Sequence, residues 1–500
     1  MKTLSLQGLL MFRKKTSELF LEHYLIHFCL FVFPLEVLAV SCEDDEYFVP
    51  SAANVQSLPD IVPAPLPFEG TIVGERTGLD LFLGVDTIRS LFLFTSKNKR
   101  CIEAIRTIGG EVQTLFDSRE EDAFHGIVHA AYVLPDGNWL IYESSDNEAN
   151  RLWKYNPESR NLRCVFTFRN VYQRLVREWG YDYDPDSHTI YISEYGTSKD
   201  NPIDPNDPDG QRHLGYKAGA TAIWKSEDMG ETWSILHDFA EDGDIYYERF
   251  HIHAIHYDRY AHRLYVTTGD AVDSRGNSNK RLYWTDGDGT WQHRDFKYYW
   301  GTTNDAYSHP QMVSLFAAED FIIAGGDDFN NGIYRINKTD TPEDMQLELV
   351  CRYDASVSGL ITQYSERFVQ LPDGLIVVYI GDGDGWAYPR QSRILATYDG
   401  WQWYQVFTGP IEMDAEHALR NRETVMRWWN DHIYFTCMQW VDGVQCPVFY
   451  EMEVPVIPLI TGIPDEVQTE GTSTNFTIDG RRATPEKKGI VIESRKKVIR

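Results

Sequence analysis

Short apolar segments with alternating polarity recur along residues 76 to 455, each followed by a tight polar turn and a second alternating segment. Strict alternation over a few residues is typical of β-strands with one buried face. The second segments are the clearest, and they run from Trp139 to Glu143, Thr189 to Tyr195, Arg263 to Thr268, Phe321 to Ala324, Leu375 to Ile380 and His432 to Cys437. No long helical periodicity interrupts this series, so the pattern predicts an all-β chain.

The turns between the paired segments supply the repeat length. They read Pro135-Asp136-Gly137, Pro185-Asp186-Ser187, Asp258-Arg259-Tyr260, Ala318-Glu319-Asp320, Pro372-Asp373-Gly374 and Trp429-Asn430-Asp431. Their spacing of roughly 50 to 70 residues is the size of a four-stranded blade with its loops. The sequence therefore predicts a β-propeller of four-stranded antiparallel blades. Six blades are visible, residues 76 to 116 supply a seventh, and seven is favoured over six.

A turn later in one blade has a distinctive side-chain pattern, Ser226-Glu227-Asp228-Met229-Gly230-Glu231-Thr232-Trp233. Its spacing lets the Asp and Thr side chains bond the turn backbone, while Gly takes a positive φ and Trp packs below. Degenerate copies follow at residues 285–291 and 397–403. The pattern resembles the Asp box, or BNR repeat, of sialidases and related polysaccharide-active proteins, and this resemblance implies a propeller scaffold.

The composition limits the possible classes of binding partner more than it limits the possible folds. The formal net charge is −28, which argues against nucleic acid because phosphate backbones require a basic surface. Aromatic residues make up 14% of the chain; most should pack between strands, and the remainder suits stacking on sugar rings. The seven cysteines include no CxxC pair, and only Cys437 and Cys446 are close enough to bridge a hairpin.

The N-terminal residues have the pattern of an export signal. Three basic residues at 13–15 precede a mostly apolar run from Tyr24 to Val40, which ends in Leu-Ala-Val-Ser before Cys42. This ending resembles the lipobox of bacterial lipoproteins, which implies a lipid anchor on Cys42. The acidic residues at 43–46 resemble a signal for surface display. A transmembrane anchor is the alternative, but the run is short and contains His27 and Glu36.

These features divide the chain into four regions. Residues 1–42 are a predicted lipoprotein signal peptide, 43–75 a flexible Pro-, Ser- and Ala-rich tether, 76–455 the propeller and 456–500 a polar tail. The tail resembles the C-terminal sorting segments of secreted bacterial proteins. We therefore expect a lipid-anchored protein of the bacterial outer membrane or cell surface, with secretion as the alternative, and an extracellular polysaccharide as its partner.

Titratable residues gather at one end of the predicted blades, because the start of strand one and the end of strand two lie together in an antiparallel blade. Strand-one starts carry His125, His129, His251, His253 and His309, and strand-two ends carry Glu143, Glu194, Tyr195, Asp270, Asp327 and Asp382. The loop from Gly196 to Ala220, which contains Arg212, opens on the same side. A single His on a propeller strand is more often structural, but this convergence predicts a functional face.

His251 and His253 are two residues apart, so their side chains share one side of a strand and form a candidate metal pair. The sequence does not identify a third ligand, and a structural divalent metal, zinc or calcium, stays an open alternative. The Asp-rich loop from Asp200 to Asp209 is a calcium candidate whose Pro spacing does not match an EF-hand, so a solvated loop is expected.

The general layout resembles the propeller polysaccharide lyases, in particular the ulvan lyases. The shared points are a His on a blade strand, a Tyr at the end of the next blade's second strand, a downstream Arg, the Asp box and a later His-x-His. The resemblance implies that Tyr195 is the general base and acid, supported by His129 or His125. It also implies that Arg212 neutralises the uronate carboxylate.

β-Elimination requires such a set, because removing the proton α to a carboxylate develops enolate-like charge that cations or strong donors must stabilise. A Tyr acts as the base when nearby cations lower its pKa, and it then protonates the leaving oxygen. Lys225 is the alternative cation if the loop from Gly196 to Ala220 is an insertion. His253 and Glu194 are candidate substrate-binding residues.

Two other functions stay open. A sialidase-like glycoside hydrolase requires an Arg triad and a Tyr–Glu pair, but Glu75-Arg76-Thr77 stands where the usual Arg-Ile-Pro is expected, and Glu194 and Tyr195 should point to opposite faces of a strand. A non-catalytic glycan-binding surface lipoprotein is also compatible with the aromatic content. The lyase hypothesis fails if Tyr195 points into the core of a blade.

Overall fold

A computed structural model describes residues 64–65, 71–75, 79–145, 148–169, 173–196, 220–242, 250–270, 278–296, 309–327, 332–352, 368–381, 390–412, 425–441 and 444–457, with three short strands beyond residue 475. These residues form a seven-bladed β-propeller of four-stranded antiparallel sheets. They contain no α-helix, only short 3-10 turns at Ser118–Glu120, Phe239–Glu241 and Pro342–Asp344. The predicted all-β fold is confirmed, with seven blades.

The four strands of each blade are numbered outward from the central channel. Strand one of blades 1 to 7 spans Phe82–Asp86, Ile127–Val133, Tyr181–Asp184, Phe250–Asp258, Met312–Ala317, Val369–Gln370 and Met426–Trp429. Strand two spans Leu91–Thr95, Trp139–Ser144, Thr189–Ser193, Arg263–Asp270, Phe321–Gly326, Ile376–Ile380 and His432–Val441. The six predicted second strands are therefore confirmed, except that the strand in blade 3 ends at Ser193 and Tyr195 lies in a separate short ladder.

The outer two strands complete each sheet. Strand three of blades 1 to 7 spans Cys101–Ile105, Arg151–Asn156, Ala222–Ser226, Arg281–Thr285, Gly332–Asn337, Arg390–Thr397 and Val444–Glu453. Strand four spans Gln113–Asp117, Asn161–Thr167, Ser234–Asp238, Gln292–Asp295, Leu347–Arg352, Tyr404–Glu412 and, in blade 7, Ile72–Glu75.

The hydrophobic core lies between neighbouring blades. Each of the seven junctions has its own cluster of buried side chains, and every cluster draws on both adjacent blades. At the junction of blades 7 and 1, for example, the ring of Phe92 lies 4.5 Å from that of Tyr434, and Phe94 lies 4.9 Å from Phe449. Full burial of such a side chain contributes about 1.5–3 kcal/mol, so these clusters hold the ring of blades together.

The ring is closed by a strand from before residue 76. Ile72–Glu75 pairs antiparallel with Val444–Glu453, and Ile72 lies opposite Met452. Gly74 has no side chain because the ring of Tyr450 fills the space, where a Cβ would come within 2.6 Å of it. The predicted boundary between tether and propeller is therefore wrong for this stretch, since Ile72–Glu75 belongs to blade 7.

The turn at Ser226–Trp233 has the bonding that its side-chain pattern predicts. Asp228 Oδ1 accepts from the backbone N–H groups of Glu231 and Thr232 at 3.0 and 2.9 Å, and Asp228 Oδ2 accepts from the Thr232 hydroxyl at 2.5 Å. Gly230 has φ of 80°. This turn joins strands three and four of blade 3, at the opposite end of the blade from the end of strand two.

The predicted terminal regions lie mostly outside the described residues, including the signal peptide and Cys42. In the tail, Phe476–Thr477, Ile490–Glu493 and Lys496–Ile499 form a small antiparallel sheet. Within the part of the chain that the structure describes, no helix has the length and apolarity needed to span a membrane.

We expect the closing strand to carry a large share of the stability. A fragment of residues 79–500 loses about four ladder hydrogen bonds at about 1 kcal/mol each, so its urea midpoint should fall well below that of the full chain. A fragment of residues 71–500 keeps Ile72–Glu75 but, like the shorter fragment, lacks Ala64–Pro65, which pairs with blade 6, and it serves as the control. Equal midpoints for the two fragments would show that the strand does not close the ring.

Candidate functional site

The functional face predicted from the sequence is the end of the propeller where each strand one begins, here called the top face. The end of strand two and the connection from strand four into the next blade lie at this same end. Strand one of four blades has a β-bulge there, at Leu83, His129, His253 and Val313. A bulge re-aims a side chain without ending the ladder, and in blades 2 and 4 the re-aimed side chain is a His.

His251 and His253 form a directly bonded imidazole pair in blade 4. They are 2% and 3% exposed, and their Nε2 atoms are 2.9 Å apart. His253 Nδ1 lies 3.0 Å from the carbonyl oxygen of Met312, which can only accept, so Nδ1 has the proton. His253 Nε2 then accepts from His251 Nε2–H when the pair is neutral. Both rings are thus fixed in orientation and tautomer.

A glycine makes room for this pair. Gly269 lies opposite His251 in the sheet, and a Cβ built on it would come within 2.1 Å of His253 Cε1. Any larger residue would displace the imidazole. The small residue that the sequence shows at the end of this second strand is therefore required by the histidine packed against it.

Tyr195 lies beside the histidine pair and outside the apolar clusters. Its half-buried ring is 4.4 Å from the ring of His251, between centroids, and the guanidinium carbon of Arg174 lies 4.9 Å from the ring centroid. Arg174 is also its backbone partner, in a short ladder that pairs Gln173–Arg174 with Tyr195–Gly196. The condition that would have excluded catalysis, a Tyr195 buried in a blade core, is not met.

Arg174 is the site residue that sequence reasoning missed. It lies in the connection between blades 2 and 3, which the antiparallel frame already places on the top face. The sequence feature that could have indicated it is the presence of three arginines, Arg169, Arg174 and Arg177, within nine residues of an otherwise acidic chain. Arg212, to which the resemblance assigns the cation role, lies outside the described residues, so that role stays a prediction.

Glu194 is part of the scaffold of the site. Its carboxylate is fully buried and accepts from Arg169 Nε at 2.9 Å, from Arg169 Nη2, and from the indole N–H of Trp224 at 2.9 Å. Ala222 N–H and Gln173 Nε2 also donate to it, at 3.1 and 3.3 Å. Burial raises the pKa of Glu194, and the Arg169 and Trp224 donors oppose that rise. These contacts leave no carboxylate surface for a substrate, in contrast to the predicted binding role.

Blade 2 has the same kind of anchor. Glu143, at the end of strand two, accepts from the indole N–H of Trp153 at 2.7 Å and from the backbone N–H of His125 at 2.7 Å. In both blades a buried carboxylate binds an indole of strand three and the segment beside it. The acidic strand ends predicted as site residues are thus structural in blades 2 and 3.

The remaining candidate residues do not lie together in the structure. The ring of His129 packs edge-to-face on Tyr142 at 5.5 Å. His125 is exposed, with Nδ1 3.0 Å from Glu148 Oε1 and Nε2 2.9 Å from the Asp122 carbonyl. Lys225 binds Glu227 at 2.8 Å near the Ser226–Trp233 turn, away from the top face. The structure therefore brings together Tyr195, His251 and His253, and it places Lys225 far from them.

The donors present do not fit a metal centre. The Nε2 atoms of His251 and His253 are hydrogen-bonded to each other. Within the described ranges no group of three or more His, Cys, Asp or Glu side chains could hold a metal ion. The loop from Asp200 to Asp209, the calcium candidate, lies outside those ranges. Cys437 and Cys446 are free thiols, opposite Val448 and Gln439 in the ladder.

A segment next to the site reaches the central channel. The Tyr132 hydroxyl donates to the carbonyl of Arg177 at 2.6 Å, and Ile255 N–H donates to the carbonyl of Trp179 at 2.8 Å. Arg427 Nη1, from strand one of blade 7, donates to Glu178 at 2.9 Å. Residues 177–179 thus contact the inner strands of blades 2, 4 and 7.

No protein-family model matches the sequence, and no curated protein matches it. The Trypanosoma rangeli sialidase is similar over 76% of this chain and 59% of its own, at 11% identity and a TM-score of 0.38. A prolyl endopeptidase is similar over 81% of this chain and 52% of its own, at 11% identity and 0.42, so the chain spans about half its length. The aldose sugar dehydrogenase from Streptomyces coelicolor is similar over 66% of this chain and 98% of its own, at 14% identity and 0.35.

These likenesses are to propellers of several activities, at TM-scores below 0.5 and low identity. They establish distant sialidase and other enzyme neighbours, and nothing about the reaction of this chain. The function therefore has to be inferred from the side chains at the top face.

We expect Glu194→Gln to lower the free energy of unfolding by about 1.5–3 kcal/mol, because it removes the buried carboxylate that accepts from Arg169 Nε and Nη2 and leaves Asp238 as the charge partner of that guanidinium. Glu227→Gln, at the exposed pair with Lys225, should cost less than about 1 kcal/mol. Urea unfolding of both variants measures the difference. A Glu194→Gln loss no larger than that of Glu227→Gln would remove the anchor role.

The Glu148 carboxylate raises the pKa of His125 above its ordinary value, with the Asp122 carbonyl acting in the same direction. The stability from this contact is fully present below about pH 6.5 and is lost as the pH rises through the folded-state pKa. An NMR titration should show the His125 pKa elevated in the wild type and returned towards about 6.5 in Glu148→Gln. An unchanged pKa in the variant would contradict the assignment.

Proposed function

We propose that this chain cleaves an acidic extracellular polysaccharide by β-elimination at the top face. The observation that carries the proposal is the contact of the Tyr195 ring with both the Arg174 guanidinium and the His251 imidazole. A phenol beside a guanidinium is a proton-transfer group next to a positive charge, which is the pair that elimination from a uronate requires.

The chemistry would proceed at Tyr195. Its deprotonated oxygen takes the proton from the carbon α to the substrate carboxylate, and the electron pair left behind forms a double bond to the β carbon. The bond from the β carbon to the glycosidic oxygen breaks, and Tyr195 returns its proton to that oxygen. Arg174 supplies positive charge for the carboxylate while negative charge develops on it. No oxidant or water is consumed.

His251, held by His253, would pack against the Tyr195 ring and fix its position. Both imidazoles are buried and fixed by Met312 and Gly269, so they offer a rigid surface. Pre-organised positioning of this kind lowers the entropy lost on reaching the reactive geometry. His129, at the bulge of blade 2, would support a neighbouring sugar unit from the same face.

Charge supports the same class of substrate. The chain has a net charge of −28, so a polyanionic glycan requires a local basic cluster. Arg174, in the connection from Arg169 to Arg177, supplies positive charge beside Tyr195 on the top face. The proposal includes lipid anchoring through Cys42 at the bacterial surface, where extracellular polysaccharide is encountered.

Glycan binding without cleavage is the second candidate, because the exposed side of the Tyr195–Arg174 contact also suits stacking on a sugar ring. The sialidase-like alternative is weaker. Its nucleophile would need a Tyr–Glu pair, and the Glu194 carboxylate beside Tyr195 in sequence is fully buried on Arg169.

The experiment screens the purified full chain on uronic-acid polysaccharides and follows the absorbance of the unsaturated product. We expect Tyr195→Phe to lower kcat by about 100-fold or more, because it removes the proton-transfer group. Arg174→Gln should lower kcat/KM by about 100-fold, because it removes charge that stabilises the transition state.

Tyr260→Phe is the matched control, since this exposed tyrosine lies in a turn at the opposite end of blade 4, where its hydroxyl bonds Gln370 and Arg259. It should leave turnover unchanged. Unchanged turnover in Tyr195→Phe would remove this residue from the mechanism. Binding of a uronate polymer without unsaturated product would establish the non-catalytic function instead.

A further inference from the structure

A buried arginine at the channel lacks the acceptors that its charge requires. Arg177 is 2% exposed, and its Nη1 donates to the carbonyl of His129 over a long 3.5 Å. Its Nε and Nη2 have no hydrogen-bond partner among the described residues. A buried charge with unsatisfied donors is strongly disfavoured, so an acceptor is needed at this edge of the side chain.

The two unsatisfied donors define the shape of that acceptor. Nε and Nη2 lie on one edge of a guanidinium and match the two oxygens of a carboxylate. The protein uses this edge in the same way elsewhere. Arg169 donates from Nε and Nη2 to the two oxygens of Glu194, and Arg263 donates from the same two atoms to Asp286.

Two described carboxylates near Arg177, those of Glu178 and Asp80, do not bond its Nε–Nη2 edge. Glu178, the next residue, accepts from Arg427 Nη1 and Nη2 at 2.9 and 3.3 Å. Asp80 is near enough for Arg177 to act on its pKa, which burial raises overall. Within the described ranges, however, no hydrogen bond joins Asp80 to the Nε–Nη2 edge of Arg177.

We propose that Arg177 is the binding site of a carboxylate ligand, held side-on by Nε and Nη2 inside the channel. The site is built rather than incidental, because the carbonyl of Arg177 is fixed by the Tyr132 hydroxyl and the next residue is fixed by Arg427. A small monocarboxylate satisfies the edge, and so does the carboxylate of a longer acid. The inference does not depend on polysaccharide cleavage.

The test is thermal unfolding of the full chain in sodium acetate or sodium formate, with sodium chloride replacing it at constant ionic strength. The wild-type midpoint should rise with carboxylate concentration, in proportion to the logarithm of that concentration once it exceeds the dissociation constant. The reason is that a ligand that binds only the folded state stabilises it by RT ln(1 + c/Kd), where c is the concentration of free ligand. Arg177→Gln should abolish the rise. Arg259→Gln, which changes an exposed arginine on the opposite face, should retain it.

A second measurement does not require the variant to fold. The 19F line of trifluoroacetate should broaden with the wild-type protein, and formate should restore its width by competition. Equal midpoints in acetate and chloride, with no broadening, would overturn the proposal. A rise that persists in Arg177→Gln would also overturn it, because the ligand would then bind elsewhere.

Asp80→Asn tests the internal alternative, in which Asp80 turns to satisfy Arg177 in solution. In that case the wild type would not respond to acetate, and only the variant would gain a response, which contradicts the proposal. A wild-type response that Asp80→Asn leaves in place supports it.

Discussion

The buried carboxylate of Glu194 holds together the chain segments that make the candidate site. It binds Arg169 and Gln173 in the connection between blades 2 and 3, together with the indole and backbone of strand three. The residues that follow Gln173 and Glu194 are Arg174 and Tyr195, which lie opposite each other in a short ladder. Because a single buried acid fixes both segments, the contact between Tyr195 and Arg174 depends on a residue that is itself buried away from the surface.

The fold could be predicted from the sequence because its signals are local. Alternation shows each second strand, and the Asp-Gly turns show where strands reverse. Closure could not be predicted in the same way, since Ile72–Glu75 is only four residues long, follows a Pro-rich stretch and pairs with a strand at the far end of the propeller. These four residues contain no pattern that indicates a partner strand so far away in the sequence.

The site was predictable in its location and only partly in its contacts. The antiparallel frame placed Tyr195, His251 and His253 on one face, and the structure joins them. The frame does not tell which carboxylates are buried, so Glu194 was expected at a substrate and instead holds Arg169. Arg174 was missed because it lies in a connection between blades. Its place in the site follows only from its packing on the Tyr195 ring, which the sequence does not show.

Closure of the ring has a consequence for how the chain is made. Ile72 lies opposite Met452, so blade 7 stays incomplete until almost the entire propeller has left the ribosome. Before that moment Ile72–Glu75 has no partner strand, and its unpaired backbone groups can pair with other strands. Pairing of this N-terminal strand is thus the step that closes the ring. Any factor that holds the first segment of the nascent chain also sets the time at which the propeller becomes a closed ring.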